Sequence, residues 1–120
     1  MDYFGPSSQE FVEAYVEAYG EEPSYHAAGG FQAGLLLQKA IEDSDSIETE
    51  AVAAALNELD ILTFFGSVQF DTTEESHGLQ IGHSMMYIQW QQIEDMEDLE
   101  KVIVWPLEAA TADTLYPLSE

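Results

Sequence analysis

The residues best suited to hold a metal ion lie in one short segment, where His77 and His83 are six residues apart and Glu74 and Glu75 come just before them. A zinc site needs three or four ligands that converge on the ion, and the spacings that achieve this are few. A separation of six residues across a polar turn matches none of them. We therefore predict no metal site and interpret both histidines as solvated turn residues.

The acidic run EDMEDLE, residues 94–100, is the segment closest in composition to a calcium-binding loop. An EF-hand loop alternates its oxygen ligands and carries a central glycine, and this run has neither feature, so we interpret it as a solvated acidic turn. No serine lies in a Gly-x-Ser-x-Gly context, and no glycine-rich phosphate loop occurs. Carboxylates are so numerous that a catalytic pair cannot be distinguished. These patterns predict a protein that is not an enzyme and uses no cofactor.

An aromatic and an imidazole side chain, Tyr25 and His26, follow Pro23 at the start of a helix with a glycine-rich face. Side chains at a helix start can line a cleft and contact a ligand there. The alternative is ordinary packing, which the residues by themselves favour.

The charge of the chain excludes several classes of partner. Its 120 residues include 24 acids but only two cations, Lys39 and Lys101, which gives a formal net charge of −22. Nucleic acids and anionic membranes need a cationic surface, so neither is expected to bind. The acids are spread along the whole chain, and molar salt would screen their repulsion over a Debye length of ~3 Å. We interpret the composition as typical of a halophile, with an ordinary acidic protein as the alternative.

The remaining composition is that of a folded chain, because 46% of the residues are hydrophobic. The length suits one domain with a modest core. Cysteine is absent, and we find neither a signal-peptide pattern nor an apolar run of ~20 residues that could cross a membrane. The chain opens abruptly into a helix pattern, which we interpret as the sign of a segment from something longer.

The apolar spacing predicts a first helix that begins after Ser7, which forms a capping-box pattern with Glu10, and ends at Gly20. A second helix is predicted from about Ser24 to about Glu42. Its three glycines, two in AAGG and one at Gly34, predict the close approach of another backbone. Its broad apolar surface predicts burial on much of its circumference.

The stretch DSDSIETE, residues 43–50, is interpreted as a linker that caps a third helix, which has Val52, Ala55, Leu56 and Leu59 on one face. From Leu62 onward the apolar period becomes that of strands.

Phe64 and Phe65 lead into a first strand, in which Val68 and Phe70 are predicted to face the core. Residues 71–78 form a polar turn, and Gly66 and Gly78 mark positions where the backbone bends or approaches a neighbour. A second strand alternates Met86, Ile88 and Trp90. The third strand, KVIVW at 101–105, is apolar on both faces and is predicted to be central, with an irregular tail after it.

Three helices followed by three strands cannot form a parallel sheet with crossover helices by themselves, because such a domain alternates the two element types. The order leaves two alternatives, a compact α+β unit or a piece of a larger sheet.

The ordered series FVEAYVEAYGEEPSYHAAGGFQAGLLLQKAIE, VAAALNELD, TFFGSVQFDTTEESHG, MYIQWQ and VIVWP resembles the C-terminal third of the type I periplasmic binding proteins. The most similar branch is the branched-chain amino-acid (Leu/Ile/Val) substrate-binding proteins of ABC transporters. The likeness extends from Phe11 to Pro117. It implies an α/β fold in which residues 1–120 form a single partial domain, the C-terminal fragment of a two-lobed type I fold.

The resemblance also implies a function. The parent protein would be extracellular or at the cell surface, would close two lobes on an amino-acid-like solute without catalysis, and would deliver it to an ABC transporter permease. Tyr25 and His26 would become ligand contacts, whereas Gln32 stands where relatives often carry an acid and receives no role. A fragment with uncovered surface is expected to form a homo-oligomer. The alternative is a stand-alone acidic sensor or regulatory interaction module that reuses the segment.

Overall fold

The computed structural model describes residues 1–92 and 98–116, and the chain divides into two compact units, Met1–His83 and Ser84–Glu120. The elements are β1 (Asp2–Tyr3), α1 (Ser8–Tyr19), α2 (Tyr25–Ser44), α3 (Thr49–Asn57), β2 (Asp60–Thr63), β3 (Gly66–Gln69), β4 (Tyr87–Gln92) and β5 (Leu99–Trp105). This mixture of three helices and two small sheets confirms the α/β class. Among the described residues, none of the helices combines the length and hydrophobicity that a membrane crossing requires.

The predicted start and end of the first helix are confirmed. The Ser7 hydroxyl accepts a hydrogen bond from the backbone N–H of Glu10 at 3.2 Å, and the Glu10 carboxylate accepts one from the backbone N–H of Ser7 at 2.8 Å. At the other end Gly20 adopts a left-handed conformation with φ of 75°, and its N–H bonds the Val16 carbonyl at 2.8 Å. Backbone groups that would otherwise be unpaired at the two ends of the helix therefore gain hydrogen-bond partners, which fixes where α1 begins and ends.

The second helix begins as predicted, because the Ser24 hydroxyl accepts a hydrogen bond from the backbone N–H of Ala27 at 3.3 Å. It continues to Ser44, two residues beyond the expected end. The prediction of burial around much of its circumference is wrong, since Phe31 and Leu37 are 45% and 50% exposed. The helix buries a single stripe against its neighbours: Ala28, Gln32, Leu35, Leu36 and Ala40.

The expected approach of another backbone to the glycines of α2 is also wrong. A Cβ atom built at Gly29 would contact only the Phe65 ring, at 3.8 Å, and one at Gly30 or Gly34 would have nothing within 4 Å. Gly30 and Gly34 thus lie on faces of α2 that the described part of the chain leaves open, and Gly29 faces a side chain and not a backbone. Close packing therefore does not explain them within this chain.

The third helix lacks the side-chain cap that the linker was predicted to supply. Its N-cap residue is Glu48, whose side chain makes no capping hydrogen bond. The backbone N–H of Glu48 instead donates to the Ser46 hydroxyl at 3.1 Å. This bond forms a local serine turn just before the helix and does not cap the N–H groups of its first turn. Val52 and Leu59 of the predicted apolar face are buried.

The first unit contains a three-stranded sheet in the order β1-β2-β3, with β1 parallel and β3 antiparallel to β2. Sequence periodicity missed β1, which is too short to show a period. Phe64 and Phe65 lead into a strand as predicted, because they directly precede β3. Those two residues form the turn between β2 and β3, where Thr63 pairs with Gly66. Gly66 has a φ of 121°, which a residue with a side chain rarely adopts.

The core of this unit lies between α2, the start of β2 and β3. It consists of Leu36, Leu59, Ile61 and Val68, with Phe4, Leu56 and Phe70 packed against it. Val68 is fully buried, so the predicted core-facing pair of Val68 and Phe70 is confirmed. The polar turn at 71–78 is confirmed as well, and Gly78 bends there with a φ of 84°.

The second unit is a two-stranded antiparallel sheet of β4 and β5. Within the described ranges β5 pairs with β4 alone, so the prediction that it is a central strand is wrong there. The alternation along β4 is confirmed, but its polar face is the covered one. Gln91 donates to the Asp113 carbonyl at 2.7 Å and Gln89 to the Leu115 carbonyl at 3.1 Å, while Trp90 is 59% exposed. Residues 94–97 of the EDMEDLE run and the last four residues of the tail lie outside the described residues.

Candidate functional site

Tyr25 and His26 are the first two residues of α2, directly after the N-cap Ser24. Their rings lie with centroids 3.9 Å apart and planes inclined by 32°. Tyr25 is 69% exposed, and His26 is exposed as well. The pair therefore forms a small aromatic platform on the surface of the first unit, with a phenol hydroxyl and two ring nitrogens able to form hydrogen bonds.

The local sequence positions this platform. Pro23 favours an extended conformation in the residue before it, and Ser24 is itself extended with ψ of 165°. The hydrogen bond from Ala27 to Ser24 then starts the helix, so the backbone of Tyr25 and His26 is fixed at the first turn. A preorganised aromatic pair loses little conformational entropy when a ligand stacks on it.

The two other histidines have different surroundings. His77 is exposed in the polar turn, which confirms its interpretation as a solvated residue. His83 is exposed too, in agreement with its interpretation, but its ring also contacts neighbouring residues. Its Nδ1 lies 2.6 Å from the Ser67 carbonyl oxygen and 2.8 Å from the amide nitrogen of Gln80. This ring ties the end of the turn to β3.

Two acids of the first unit, Glu10 and Asp71, have lowered pKa values because they accept hydrogen bonds from nearby residues in the chain. Hydrogen bonds from the Thr73 hydroxyl and backbone lower the pKa of Asp71, and His77 nearby lowers it further. Hydrogen bonds from the backbone and hydroxyl of Ser7 lower the pKa of Glu10. Across residues 1–92 and 98–116, no three side chains of the histidine, aspartate or glutamate type converge as metal ligands would.

One polar contact of the interior was not found by sequence reasoning. Gln32 is buried on the stripe of α2, and its amide nitrogen donates to the Thr63 hydroxyl at 2.7 Å. The sequence did contain a signal for this contact. Gln32 lies at helical spacing from the apolar residues Ala28, Leu35 and Leu36, and a polar side chain on a buried face needs a hydrogen-bond partner. Gln32 thus makes a structural contact between α2 and the end of β2.

The described part of the chain is thus a mixed α/β fragment with an exposed aromatic pair at the start of α2. Residues 1–95 match the family model described as Periplasmic binding protein, and the chain belongs to this family. This confirms the resemblance and places the α/β elements within a periplasmic binding protein fold.

Relatives point to the same branch. The chain is 30% identical over 115 residues to the Leu/Ile/Val-binding protein homolog 7 of Brucella melitensis, a match that covers 95% of this chain and 27% of the relative. The proteins of the same name from Brucella suis and Brucella abortus are 30% and 29% identical over the same length. The chain thus spans about a quarter of the length of these relatives. No solved structure matches it significantly.

Proposed function

We propose that this chain is the C-terminal part of an extracellular solute-binding protein, which delivers an amino-acid-like solute to an ABC importer by closing two lobes on it, without catalysis. Membership in the periplasmic binding protein family supports a solute-binding role. The names of the Leu/Ile/Val-binding relatives favour a branched-chain amino acid or a solute of similar size and charge. The ABC permease and the remaining lobes belong to the proposed assembly of the longer protein.

The observation that carries the proposal is the exposed pair Tyr25 and His26. Their ring centroids lie 3.9 Å apart, both side chains are exposed, and the cap at Ser24 starts the helix that carries them. A tyrosine ring can cover the aliphatic part of an amino acid, and a hydroxyl or imidazole can bond its carboxylate. A solute favours lobe closure when it binds the closed conformation more tightly than the open one. Exposed residues such as Tyr25 and His26 can supply the additional contacts of the closed conformation.

Membership in the periplasmic binding protein family supports an extracellular location for the longer protein, and the composition supports a salt-rich setting. A net charge of −22 with two lysines keeps such a protein soluble when molar salt screens its repulsion. As an isolated chain it is proposed to self-associate, because Trp90 and Ile88 of β4 expose 59% and 51% of their surface.

The experiment uses the complete reading frame that contains these 120 residues. Titration calorimetry with leucine, isoleucine and valine in molar salt should show saturable binding of one or more of them. The variants Tyr25→Ala and His26→Ala should each weaken that binding about tenfold, which corresponds to ~1.4 kcal/mol.

The matched controls are Tyr116→Ala and His77→Ala, which remove an exposed tyrosine and an exposed histidine elsewhere. These should leave the affinity unchanged. Binding that is unaffected by changes at Tyr25 and His26 would overturn the assignment of the pair. A complete protein that binds none of the amino acids would overturn the solute class and favour the acidic sensor module instead.

A further inference from the structure

The first unit has a second surface feature, a groove of about 1010 Å³ between α1 and α2 whose lining includes neither Tyr25 nor His26. Its walls consist mainly of aromatic rings and small residues, and one carboxylate, that of Glu10, lies among them. We propose that this groove binds an organic ammonium ion, a cation that carries methyl or alkyl groups. The inference goes beyond the proposed function, because it concerns a different group of side chains and a cationic class of ligand.

The aromatic wall is built by the periodicity of α1. Phe11, Tyr15 and Tyr19 follow at intervals of four residues, so their rings lie on one face of the helix. The ring centroids of Phe11 and Tyr15 are 6.0 Å apart, and those of Tyr15 and Tyr19 are 4.6 Å apart. Phe31 of α2 closes the wall at 5.1 Å from Phe11.

Aromatic faces attract cations through the ring quadrupole, and this attraction is most useful for alkylated ammonium ions, whose charge is spread over methyl groups. Phe11 is buried and stacks on Phe64 with centroids 4.5 Å apart, so the rings that a ligand can reach are those of Tyr15, Tyr19 and Phe31. A small metal cation would be a poor occupant, because the lining offers only one carboxylate and no converging set of oxygen ligands.

The carboxylate of Glu10 supplies the complementary charge. It accepts hydrogen bonds from the backbone N–H and the hydroxyl of Ser7, both at 2.8 Å, which lower its pKa and keep it ionised. The lining contains no lysine. The lysine of α2, Lys39, pairs with Asp43. The field of the strongly negative chain concentrates cations and repels anions, so a carboxylic acid or phosphate is disfavoured as the occupant.

The test is a titration of the 120-residue chain with choline, followed by the amide shifts of α1 in NMR spectra. Its neutral isostere 3,3-dimethyl-1-butanol is the second probe, because it has the same shape without the charge. We expect saturable binding of choline and shifts that cluster on residues of the groove. We expect the isostere to bind at least about fivefold more weakly, the factor that ~1 kcal/mol of cation–π attraction provides.

Two variants separate the contributions. Tyr15→Leu keeps apolar volume and removes an aromatic face, and Glu10→Gln removes the charge while a glutamine can still complete the capping box. Each should weaken choline binding by about fivefold, on the same estimate of the attraction. The controls are Glu13→Gln on the exposed side of α1 and Tyr116→Leu in the second unit, and both should leave it unchanged.

Circular dichroism of every variant verifies that α1 is intact before the affinities are compared. Choline shifts that fail to saturate would overturn the proposal. Equal affinity for choline and the alcohol would also overturn it, since the groove would then recognise shape alone.

Discussion

The amide nitrogen of Gln32 lies 2.7 Å from the hydroxyl oxygen of Thr63, and this hydrogen bond joins the second helix to the hairpin of the first sheet within the interior. Thr63 uses its hydroxyl fully. It donates to the Gly66 carbonyl at 3.0 Å and accepts from the backbone N–H of Phe65 at 3.2 Å. One hydroxyl therefore fixes the turn between β2 and β3 and the distance of that turn from α2.

Removing either partner of this contact should destabilise the fold. In Thr63→Val the buried amide of Gln32 and the N–H of Phe65 lose their acceptor, which should lower the free energy of unfolding by about 1–3 kcal/mol. Urea denaturation monitored by circular dichroism measures the effect. The double variant Gln32→Leu, Thr63→Val should lose less than the sum of the two single changes, because it leaves fewer polar groups unpaired. Strictly additive losses would show that the bond does not couple α2 to the hairpin.

Two glycines should respond in opposite directions to the same change. A Cβ atom at Gly82 would lie 2.5 Å from the backbone oxygen of Ser67, so Gly82→Ala must displace β3 and should cost about 1–3 kcal/mol. At Gly34 nothing lies within 4 Å, and Gly34→Ala should stabilise the helix by up to about 1 kcal/mol. Thermal unfolding of the two variants beside the wild type measures both signs. A destabilised Gly34→Ala would reveal that this face of α2 is covered in solution.

The capping box of α1 should give the chain a measurable acid sensitivity. The pKa of Glu10 is lowered in the folded state by its bonds to Ser7, so its contribution to stability is present above the unfolded value of 4.5 and is lost as pH falls through the folded value. Ser7→Ala should lower the free energy of unfolding by about 1 kcal/mol at neutral pH. It should also reduce the loss of stability that accompanies a fall in pH. Unfolding followed at several pH values between 2 and 6 measures it. Glu13→Gln is the control, and an equal reduction in that variant would contradict the role of Glu10.

Salt should stabilise the chain because its charges repel one another. Raising potassium chloride from ~0.1 M to ~1 M shortens the Debye length from ~10 Å to ~3 Å, and the melting temperature should rise throughout that range. Sorbitol at equal osmolality serves as the non-ionic control and should produce a smaller rise. A melting temperature that responds equally to both solutes would refute the proposed adaptation to salt.

Self-association should depend on the exposed face of β4. Light scattering in molar salt should show a dimer or larger assembly, and Trp90→Ser should shift the population towards monomer by removing a large exposed ring from that face. Tyr116→Ser, an exposed aromatic change outside the strands, is the comparison. A monomeric wild-type chain at high salt would overturn the proposed oligomer.

Sequence reasoning succeeded where a residue acts on its own neighbours in the chain. The cap at Ser7, the helix end at Gly20 and the inward pair Val68 and Phe70 all follow from local chemistry or short periodicity. The family could also be predicted, because the order of its weak motifs is preserved along most of the chain.

It failed where the outcome depends on contacts between distant segments. The alternation of Ile88 and Trp90 correctly predicted a strand but not which of its faces is covered. The covered face carries Gln89 and Gln91, because their amides donate hydrogen bonds to backbone carbonyls of the tail more than twenty residues later. The bond between Gln32 and Thr63 spans 31 residues, and β1 pairs with β2 across nearly sixty. No local pattern encodes such pairings.

The positions of Trp90 and Trp105 allow the two units to be followed by different spectroscopic signals. Both tryptophans lie in the second unit, and the three helices lie in the first. Indole emission therefore reports on one unit, and the helical band in the far ultraviolet reports on the other. Coincident denaturation curves from the two signals would reveal a single cooperative system, and separate curves would reveal two that melt independently.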